Sequence, residues 1–434
     1  MKTFPITRLG RATLPIGMAA ILTLSACGGG STSDSSSDSS SDASKFSINV
    51  DDCEDPASVT EPITGTFDIG YSAPLSGPVA GAVELATAGY DARIAAFNEA
   101  GGVDGVTIKV SYKDDAFAPD KAKANATEFL QSDKVDALAT FGTGPLSAMV
   151  DDQNAACVPM LYPSSSSSEF VSVEDFPWTT TILPLATNEA KFLVALIQKR
   201  YPDGVKVGVA ENPTASGKVQ GDAFKAAAKA ADLPIEVTVS DGDPVAAATE
   251  MKSKDIEVIY HGGVTGTCAA FDSARGRIGY EPKLVLKPSN CVNAVEYIAA
   301  GEAADGVELG AFGKDPFAPE NEGDAGVEKY LATMEANGVP KDVQGNAVAV
   351  SGWTQADLVI NTLEQAAKSE DGLTRLSVME AAREQDYASP MLINGIKWFS
   401  TPELLTGIDG FKPIKWVAAE ERFVPAGDVV SIRP

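Results

Sequence analysis

The chain has 434 residues, which is too long for one compact core and typical of two or three domains. Its Lys and Arg residues number 34 and its Asp and Glu residues 60, so the formal net charge is −26. A surface this acidic repels nucleic acid and anionic lipid headgroups, and we expect neither nucleic acid nor a charged lipid surface as a partner.

The first 27 residues have the pattern of an export signal. Basic residues precede a mostly apolar run over 12–24, which is too short to cross a bilayer alone. Residues 24–27 read Leu-Ser-Ala-Cys and resemble a bacterial lipobox, in which Cys27 is lipidated and becomes the first mature residue. A plain signal peptide with a chance cysteine is the alternative. We therefore predict a lipoprotein signal peptide over 1–27 and an extracytoplasmic protein that is anchored to the membrane by its lipid.

A low-complexity segment follows the predicted signal peptide. Residues 28–44 consist only of Gly, Ser, Asp, Thr and Ala, which cannot bury enough apolar surface to fold. This composition predicts a flexible tether, which we place at 28–64, ahead of the first predicted strand.

Strands and helices alternate from residue 66 onward. The first run has predicted strands at 66–72, 106–113, 135–141 and 158–162, and helices at 81–98, 120–131 and 145–156. The second run has helices at 191–200, 217–231, 245–253 and 267–278, and strands at 205–210, 235–239, 256–261 and 283–286. This alternation predicts an α/β protein of two lobes that meet near residue 184, each with a parallel sheet covered by helices. Helices are predicted to dominate 322–383, and segments 391–399 and 411–419 to form a terminal strand pair.

Polar loops follow the predicted strands, at the place where open parallel sheets bind ligands. Their hydroxyl groups and exposed N–H groups suit an anion, and several of them lead into helix N-termini. Gly, Ser and Pro also fill ordinary turns, but six such loops at equivalent places favour a binding cleft. The loops, which include the candidate ligand contacts Ser76 and Ser289, cover 73–78, 142–145, 163–168, 211–217, 261–263 and 288–290.

The sequence contains little that indicates a catalytic site. His261 is the only histidine, so a Ser/His/Asp or Cys/His hydrolase would have to use it, and no serine lies in a GxSxG turn. The alternatives for His261 are a ligand contact and an ordinary loop residue. There is no phosphate-binding GxxxxGK[ST] loop, and Ser147 replaces the third glycine of a dinucleotide motif that begins at Gly142. We predict a protein that is not an enzyme and that needs no cofactor or metal ion.

Four cysteines remain after Cys27. Outside the cytosol, an even number of cysteines favours disulfides, and four of them allow three pairings. The absence of any CxxC spacing argues against a zinc site. The four residues are Cys53, Cys157, Cys268 and Cys291.

Five segments carry a resemblance to a known family. They are GYSAPLSGP at 70–78, FNEAGGVDG at 97–105, YKDDAFAPD at 112–120, CVPMLYPSSSSSEF at 157–170 and VIYHGG at 258–263. The chain resembles the extracytoplasmic solute receptors of ABC transporters of the branched-chain amino acid type, which are type I periplasmic binding proteins. The resemblance is strongest over about 66–290.

This resemblance implies two Rossmann-like lobes joined by a three-segment hinge, with lobe 1 at 65–184 plus 312–390 and lobe 2 at 185–311 plus 391–434. It also implies a monomer that closes on a small solute and delivers it to an ABC permease in the membrane. In the family, loop residues of lobe 1 hold a ligand carboxylate, and residues of lobe 2 complete the site. The matching positions here are Thr143, Gly144, Ser164, Ser165 and Ser166 in lobe 1, and Ser216 and His261 in lobe 2.

The sequence departs from the family's amino-acid binders at loop 287–290. Those proteins place an acidic residue there to meet the ligand ammonium, whereas this loop reads Lys-Pro-Ser-Asn. Because an unpaired ammonium is costly to bury, a carboxylic acid, an amide, a urea-like compound or an aromatic acid fits about as well as an amino acid. A sensor lipoprotein of the same fold that signals to a membrane receptor is the alternative function, and a secreted hydrolase is a weaker one.

The predicted sheet of lobe 2 also bears on the disulfides. Cys268 follows the loop at His261, and Cys291 follows the loop at Ser289. Since neighbouring parallel strands end at the same edge of a sheet, we predict a Cys268–Cys291 bond, which leaves Cys53–Cys157 as the second pair.

Overall fold

The computed structural model describes residues 48–433. The predicted signal peptide, the lipidation residue Cys27 and the tether up to residue 47 lie outside the described residues. The remainder of the predicted tether packs on the protein, since Val59 is fully buried and Cys53 is bonded to Cys157. The tether prediction is therefore corrected at its C-terminal end, because the sequence beyond residue 48 again supplies apolar side chains to bury.

The first run of elements builds a small parallel sheet. Its elements are β1 (Thr66–Ala73), α1 (Ala80–Glu99), β2 (Thr107–Asp114), α2 (Pro119–Glu128), β3 (Ala137–Thr140) and α3 (Thr143–Ala155). The strand order is β2-β1-β3, with β1 parallel to both neighbours. The strand predicted at 158–162 is present only as isolated bridges, from Met160 to Leu138 and to Thr179.

The second run builds a larger sheet. Its elements are α4 (Ala186–Arg200), β4 (Val207–Glu211), α5 (Ala215–Ala230), β5 (Ile235–Ser240), α6 (Pro244–Ser253), β6 (Val258–Gly262), α7 (Ala270–Arg277), β7 (Leu284–Lys287), α8 (Ala294–Ala300) and β8 (Glu308–Ala311). Strands β4 to β8 are parallel, in the order β8-β7-β6-β4-β5. Four of these strands, β4, β6, β7 and β8, are almost entirely buried, as expected for a parallel sheet that is covered on both faces.

The last part of the chain returns to both sheets. It contains α9 (Ala325–Ala336), α10 (Lys341–Gln344), α11 (Ala347–Ala366), α12 (Arg375–Arg383), β9 (Asp386–Tyr387), β10 (Trp398–Ser400), β11 (Leu405–Ile408), β12 (Gly410–Val417), β13 (Arg422–Pro425) and β14 (Val430–Ser431). Helix α11 packs along α1 beside the first sheet, and β12 extends the second sheet antiparallel to β8.

The predicted terminal strand pair is wrong. Strand β10 pairs with β9 and β11 in a separate three-stranded antiparallel sheet, whereas β12 pairs with β8, β13 and β14. The indole of Trp398 in β10 is buried, and its Nε1 donates to the carbonyl of Thr181 at 2.8 Å. This sheet therefore packs with the hydrophobic core of the first sheet. The alternating sequence patterns of 391–399 and 411–419 do not reveal which strands they pair with. The lobe boundaries remain predictions.

Hydrophobic clusters cover both faces of each parallel sheet. Phe129 and Met149 lie in the cluster under α2 and α3, and Tyr90 lies in the cluster between the first sheet, α1 and α11. Separate clusters around Phe224 and Phe271 cover the two faces of the second sheet. The two sheets thus have independent cores, which is the arrangement needed for a cleft between them.

The structure contains both of the predicted disulfides. Cys53 is joined to Cys157 and Cys268 to Cys291. The second bond links the segments that follow β6 and β7, as expected for ends of neighbouring parallel strands. It thereby ties together two loops whose other residues line the cavity described next.

Candidate functional site

A cavity lies between the carboxyl ends of the two parallel sheets. It contains about 990 Å³ of empty space, a figure that includes space open to solvent. Residues after β3 and β8, the N-terminal half of α11 and loops of the second sheet meet around it. The polar residues that line it are Thr143, Ser164, Ser166, Ser216, Gln220, Thr265, Ser289, Asn290, Lys314, Ser351, Thr354 and Gln355.

The N-terminus of α3 forms one polar end of the cavity. Gly142 precedes the helix with φ 101°, and a Cβ atom there would lie 2.3 Å from the ring of Phe117. Glycine is thus required for the tight turn that brings Thr143 to the cavity. The first-turn N–H groups of a helix have no partner within it and carry its positive dipole end, so this end of the cavity favours an anion.

The serine run after the first sheet divides between the cavity and the protein interior. Ser164 and Ser166 line the cavity. Ser165 points away from the cavity, where its hydroxyl lies 3.0 Å from Thr143 Oγ1 and accepts from the Ser167 N–H. Alternate residues of this extended segment therefore have different roles, with Ser164 and Ser166 facing the ligand space and Ser165 fixing Thr143.

Ser216, in the first turn of α5, connects the two halves of the cavity. The main-chain N–H of Thr143 donates to Ser216 Oγ at 3.2 Å. Because the Ser216 hydroxyl oxygen accepts from the Thr143 N–H, its own proton can be donated to a ligand. The bond from Thr143 polarises the hydroxyl and strengthens that donation. A second bridge joins the two halves where Asn346 Nδ2 donates to Asn293 Oδ1 at 3.0 Å.

Gln220 lies one turn beyond Ser216 on α5 and forms the opposite polar end with Asn290. Gln220 Nε2 donates to Asn290 Oδ1 at 3.0 Å, and Asn290 Nδ2 donates to the carbonyl oxygen of Gly263 at 3.2 Å. Thr265 Oγ1 donates to the main-chain carbonyl of Asn290 at 2.6 Å. These bonds hold the loops after β6 and β7 in one arrangement.

No carboxylate belongs to the lining of the cavity within the described part of the chain. The one charged lining side chain is Lys314, whose Nζ is bound by both carboxylate oxygens of Asp324 and by the carbonyl of Pro390. Glu189 lies behind the wall, where it accepts from the Ser289 N–H at 2.6 Å, and burial raises its pKa to about 7. An ammonium group inside the cavity would therefore find no direct ionic partner.

Apolar side chains complete the walls. Phe117 and Phe141 lie in the segments that follow β2 and β3, and Phe312 follows β8. Aliphatic residues, among them Leu183 and Val348, fill the space between them. A cavity with a few placed polar groups on apolar walls selects a ligand by orientation and shape.

Comparison with known proteins agrees with this geometry. A sequence model described as "Periplasmic binding protein" matches residues 66–403. The chain belongs to the periplasmic binding protein family. It is 24% identical over 307 residues to the Leu/Ile/Val-binding protein homolog 3 of Brucella melitensis, covering 70% of this chain and 80% of that protein.

Two solved structures share the fold at low sequence identity. One is a branched chain amino acid ABC transporter protein from Thermus thermophilus with bound valine, with a TM-score of 0.74, 17% identity, and coverage of 84% of this chain and 96% of that chain. The other is an ABC transporter solute binding protein from R. palustris in complex with benzoate, with a TM-score of 0.67, 21% identity, and coverage of 85% and 98%. The predicted family and fold class are thereby confirmed.

As a periplasmic binding protein, the chain is an extracytoplasmic solute-binding receptor and not an enzyme. No group of three or more His, Cys, Asp or Glu side chains in the described residues is placed to hold a metal ion. Between residues 48 and 433, no helix is both long and apolar enough to span a bilayer.

Several predicted contacts of this periplasmic binding protein line the cavity, but others do not. Ser76 is exposed, and its hydroxyl donates to Asp114 Oδ2 at 2.6 Å, so it stabilises the loop after β1. Gly144 lies at the contact between α3 and α5, where a Cβ atom would be 3.8 Å from that of Ala215. Neither of these two residues, nor Ser165, is among the residues that line the cavity.

His261, a predicted ligand contact, is not among the residues that line the cavity, because strand alternation turns its side chain away from it. It is fully buried in β6, stacks on Phe271 and has Nε2 2.6 Å from Asp241 Oδ2. Burial and the nearby charge of Lys287 lower the pKa of His261, which favours a neutral ring that donates from Nε2. Its side chain packs on the face of the second sheet that Phe271 of α7 covers.

Gln220 and the cavity residues of α11 were not predicted from the sequence. Gln220 is four residues after Ser216, so helical spacing places both on one face of α5, a signal that was available from the sequence. Ser351, Thr354 and Gln355 reach the cavity only because α11 returns across the first sheet. No local pattern indicates that long-range packing.

Proposed function

We propose that this chain is the lipid-anchored substrate-binding protein of an ABC importer and that it captures a small carboxylate-bearing solute between its two lobes. The observation that carries the proposal is the shared cavity, whose hydroxyl groups and helix terminus come from both parallel sheets. Ser164, Ser166 and Ser216 are the donors assigned to the ligand carboxylate, with the N-terminus of α3 behind them. Ser289 lines the opposite wall.

Binding in this cavity does not require an ammonium group on the ligand. The cavity lining of the described residues lacks a carboxylate, and the loop after β7 contributes Ser289 and Asn290 instead. Burying an ammonium without an ionic partner is costly, so an acid without an α-amino group is favoured over an amino acid. The benzoate complex of the R. palustris neighbour supports an aromatic acid, which the phenylalanine-lined walls would accept.

Closure of the lobes provides the functional cycle. The Thr143–Ser216 and Asn346–Asn293 hydrogen bonds join residues on opposite sides of the cavity. A ligand that contacts both sides adds further bonds to the closed arrangement and shifts the population toward it. The permease would then recognise the closed, loaded form.

Matched acid pairs test the ligand class by calorimetry on the purified chain. We expect 4-methylpentanoate to bind at least about 10-fold more tightly than L-leucine, and 3-phenylpropanoate more tightly than L-phenylalanine, because each pair differs only by the ammonium group. Benzamide against benzoate tests the need for the carboxylate. Binding confined to the α-amino acids would refute the proposed ligand class.

The lipid anchor is tested separately in cells that express the full chain. We expect wild-type protein to incorporate radiolabelled palmitate and to sediment with membranes, and Cys27→Ser to lose both properties, because only Cys27 supplies the thiol of the lipobox. Ser25→Thr, which keeps the cysteine, is the control. Equal labelling of Cys27→Ser and wild type would exclude lipidation at this residue.

A further inference from the structure

The side-chain carbonyl oxygen of Gln220 is an unused hydrogen-bond acceptor at the cavity. Gln220 lines the cavity and is 3% exposed. Its Nε2 is engaged by Asn290, whereas Oε1 is buried and has no partner in the described structure. Buried polar atoms are nearly always paired, so an unpaired one on a residue that lines a binding cavity calls for a partner, and a ligand can supply it.

Neighbouring groups determine which way this amide faces. The carbonyl oxygen of Gly263 can only accept, so it requires the NH₂ group of Asn290 at 3.2 Å. Asn290 Oδ1 must then face Gln220, and it requires the NH₂ group of Gln220 at 3.0 Å. The remaining Gln220 atom is therefore the carbonyl oxygen, and its orientation follows from a main-chain group.

We propose that Gln220 is a specificity-determining residue that accepts a hydrogen bond from an uncharged N–H or O–H group of the ligand. The inference rests on the proposed function, since the carboxylate of the same ligand occupies the hydroxyl groups near α3. The ligand class is thus a carboxylate that carries a second, neutral donor, such as a hydroxyl or a primary amide. An ammonium group is a poor occupant, because one neutral oxygen satisfies neither its charge nor its three donors.

Discrimination follows from the cost of an unpaired acceptor. An acid that lacks the donor leaves Gln220 Oε1 buried without a partner, whereas an acid that has it pairs the oxygen. A site built to bond a ligand group rejects analogues that lack this group more strongly than an apolar pocket rejects a change of size. We expect a preference of about 10-fold to 100-fold.

Two series of acids, with and without a neutral donor group, test the preference by calorimetry on the full chain. The first compares 2-, 3- and 4-hydroxybenzoate with the matching methoxybenzoates and with benzoate. The second compares succinamate with monomethyl succinate. At least one donor-bearing acid is expected to bind 10-fold or more tightly than its donor-free partner.

Substitution at Gln220 assigns the preference to this residue. Gln220→Met keeps the length of the side chain and removes the acceptor, and it should reduce the preference to about 3-fold or less. Gln198→Met, at an exposed glutamine of α4, is the matched control and should retain the full preference. Gln220→Glu, which keeps an acceptor oxygen and adds a charge, should weaken every acid and retain the preference for donor-bearing ones. Thermal midpoints establish that each variant is folded.

The outcomes separate the inference from the proposed function. Equal binding of donor-bearing and donor-free acids overturns the role of Gln220 and leaves the carboxylate cavity intact. A preference that survives Gln220→Met also overturns it. If benzoate and all the other acids fail to bind, the proposed ligand class falls, and the assignment to Gln220 falls with it.

Discussion

Replacing Ser166 with aspartate should weaken the binding of carboxylate ligands by at least about 100-fold, since two like charges placed together cost several kcal/mol. Ser166 is 4% exposed, lines the cavity beside Ser164 and lies near the positive end of α3. A new carboxylate there would interact with the positive end of α3 in place of the ligand carboxylate and would repel the ligand. Titration calorimetry with benzoate or 4-methylpentanoate measures the effect.

Two controls separate charge from bulk. Ser166→Asn adds the same number of heavy atoms without charge, and we expect its effect to remain below about 10-fold. Ser168→Asp adds the charge two residues later in the same serine run, at an exposed position, and should leave affinity within about 2-fold because solvent screens it. Equal losses for the Asp and Asn variants at Ser166 would show that shape, not charge, decides binding there.

The α/β architecture could be predicted because buried parallel strands read as short apolar runs between amphipathic helices. Strands β4, β6 and β7 fell close to their predicted positions for this reason. The antiparallel additions could not be placed. The sequence of β10 is compatible with several partners, and its burial against Tyr162 and Thr181 is decided by chain segments more than 200 residues away.

The position of the cavity could also be predicted, because strand ends in parallel sheets are fixed by topology. The direction of each side chain could not. In the serine run, Ser166 faces the cavity while Ser165 faces inward, and His261 packs against Phe271 although it ends a strand beside the cavity. The position of a loop at a strand end predicts that it lies near the ligand. The backbone conformation of each residue decides whether its side chain contacts the ligand, and the sequence does not show that conformation.

The two ends of the cavity complement different groups. Ser164, Ser166 and Ser216 offer donors beside a helix N-terminus, while Gln220 offers an acceptor whose direction is set through Asn290. Ser164 and Ser166 lie on one side of the cavity, and Ser216 and Gln220 lie on the other. A ligand that bonds to the donors and to the acceptor would therefore also favour closure. Under the proposed function, recognition and closure would therefore depend on the same few hydrogen bonds.

Replacing Gly352 with alanine should lower the free energy of unfolding by about 3 kcal/mol or more, because the substitution overpacks a closely packed helix contact. A Cβ atom at Gly352 would lie 1.9 Å from the carbonyl oxygen of Ala86, and one at Gly89 would lie 2.0 Å from that of Ala349. Helices α1 and α11 thus approach backbone to backbone at both glycines, and neither obstacle is a flexible side chain. Chemical or thermal unfolding measures the loss.

The same substitution links stability to ligand binding. Ala86 and Gly352 both line the cavity, so any separation of α1 from α11 moves its wall, and we expect at least a 10-fold loss of acid binding below the unfolding transition. Gly81→Ala is the matched control, because Gly81 lies on α1 with open space around its Cβ position and should gain up to about 1 kcal/mol. If Gly352→Ala unfolds and binds like the wild type, the two helices are not in the close contact on which this wall of the cavity depends.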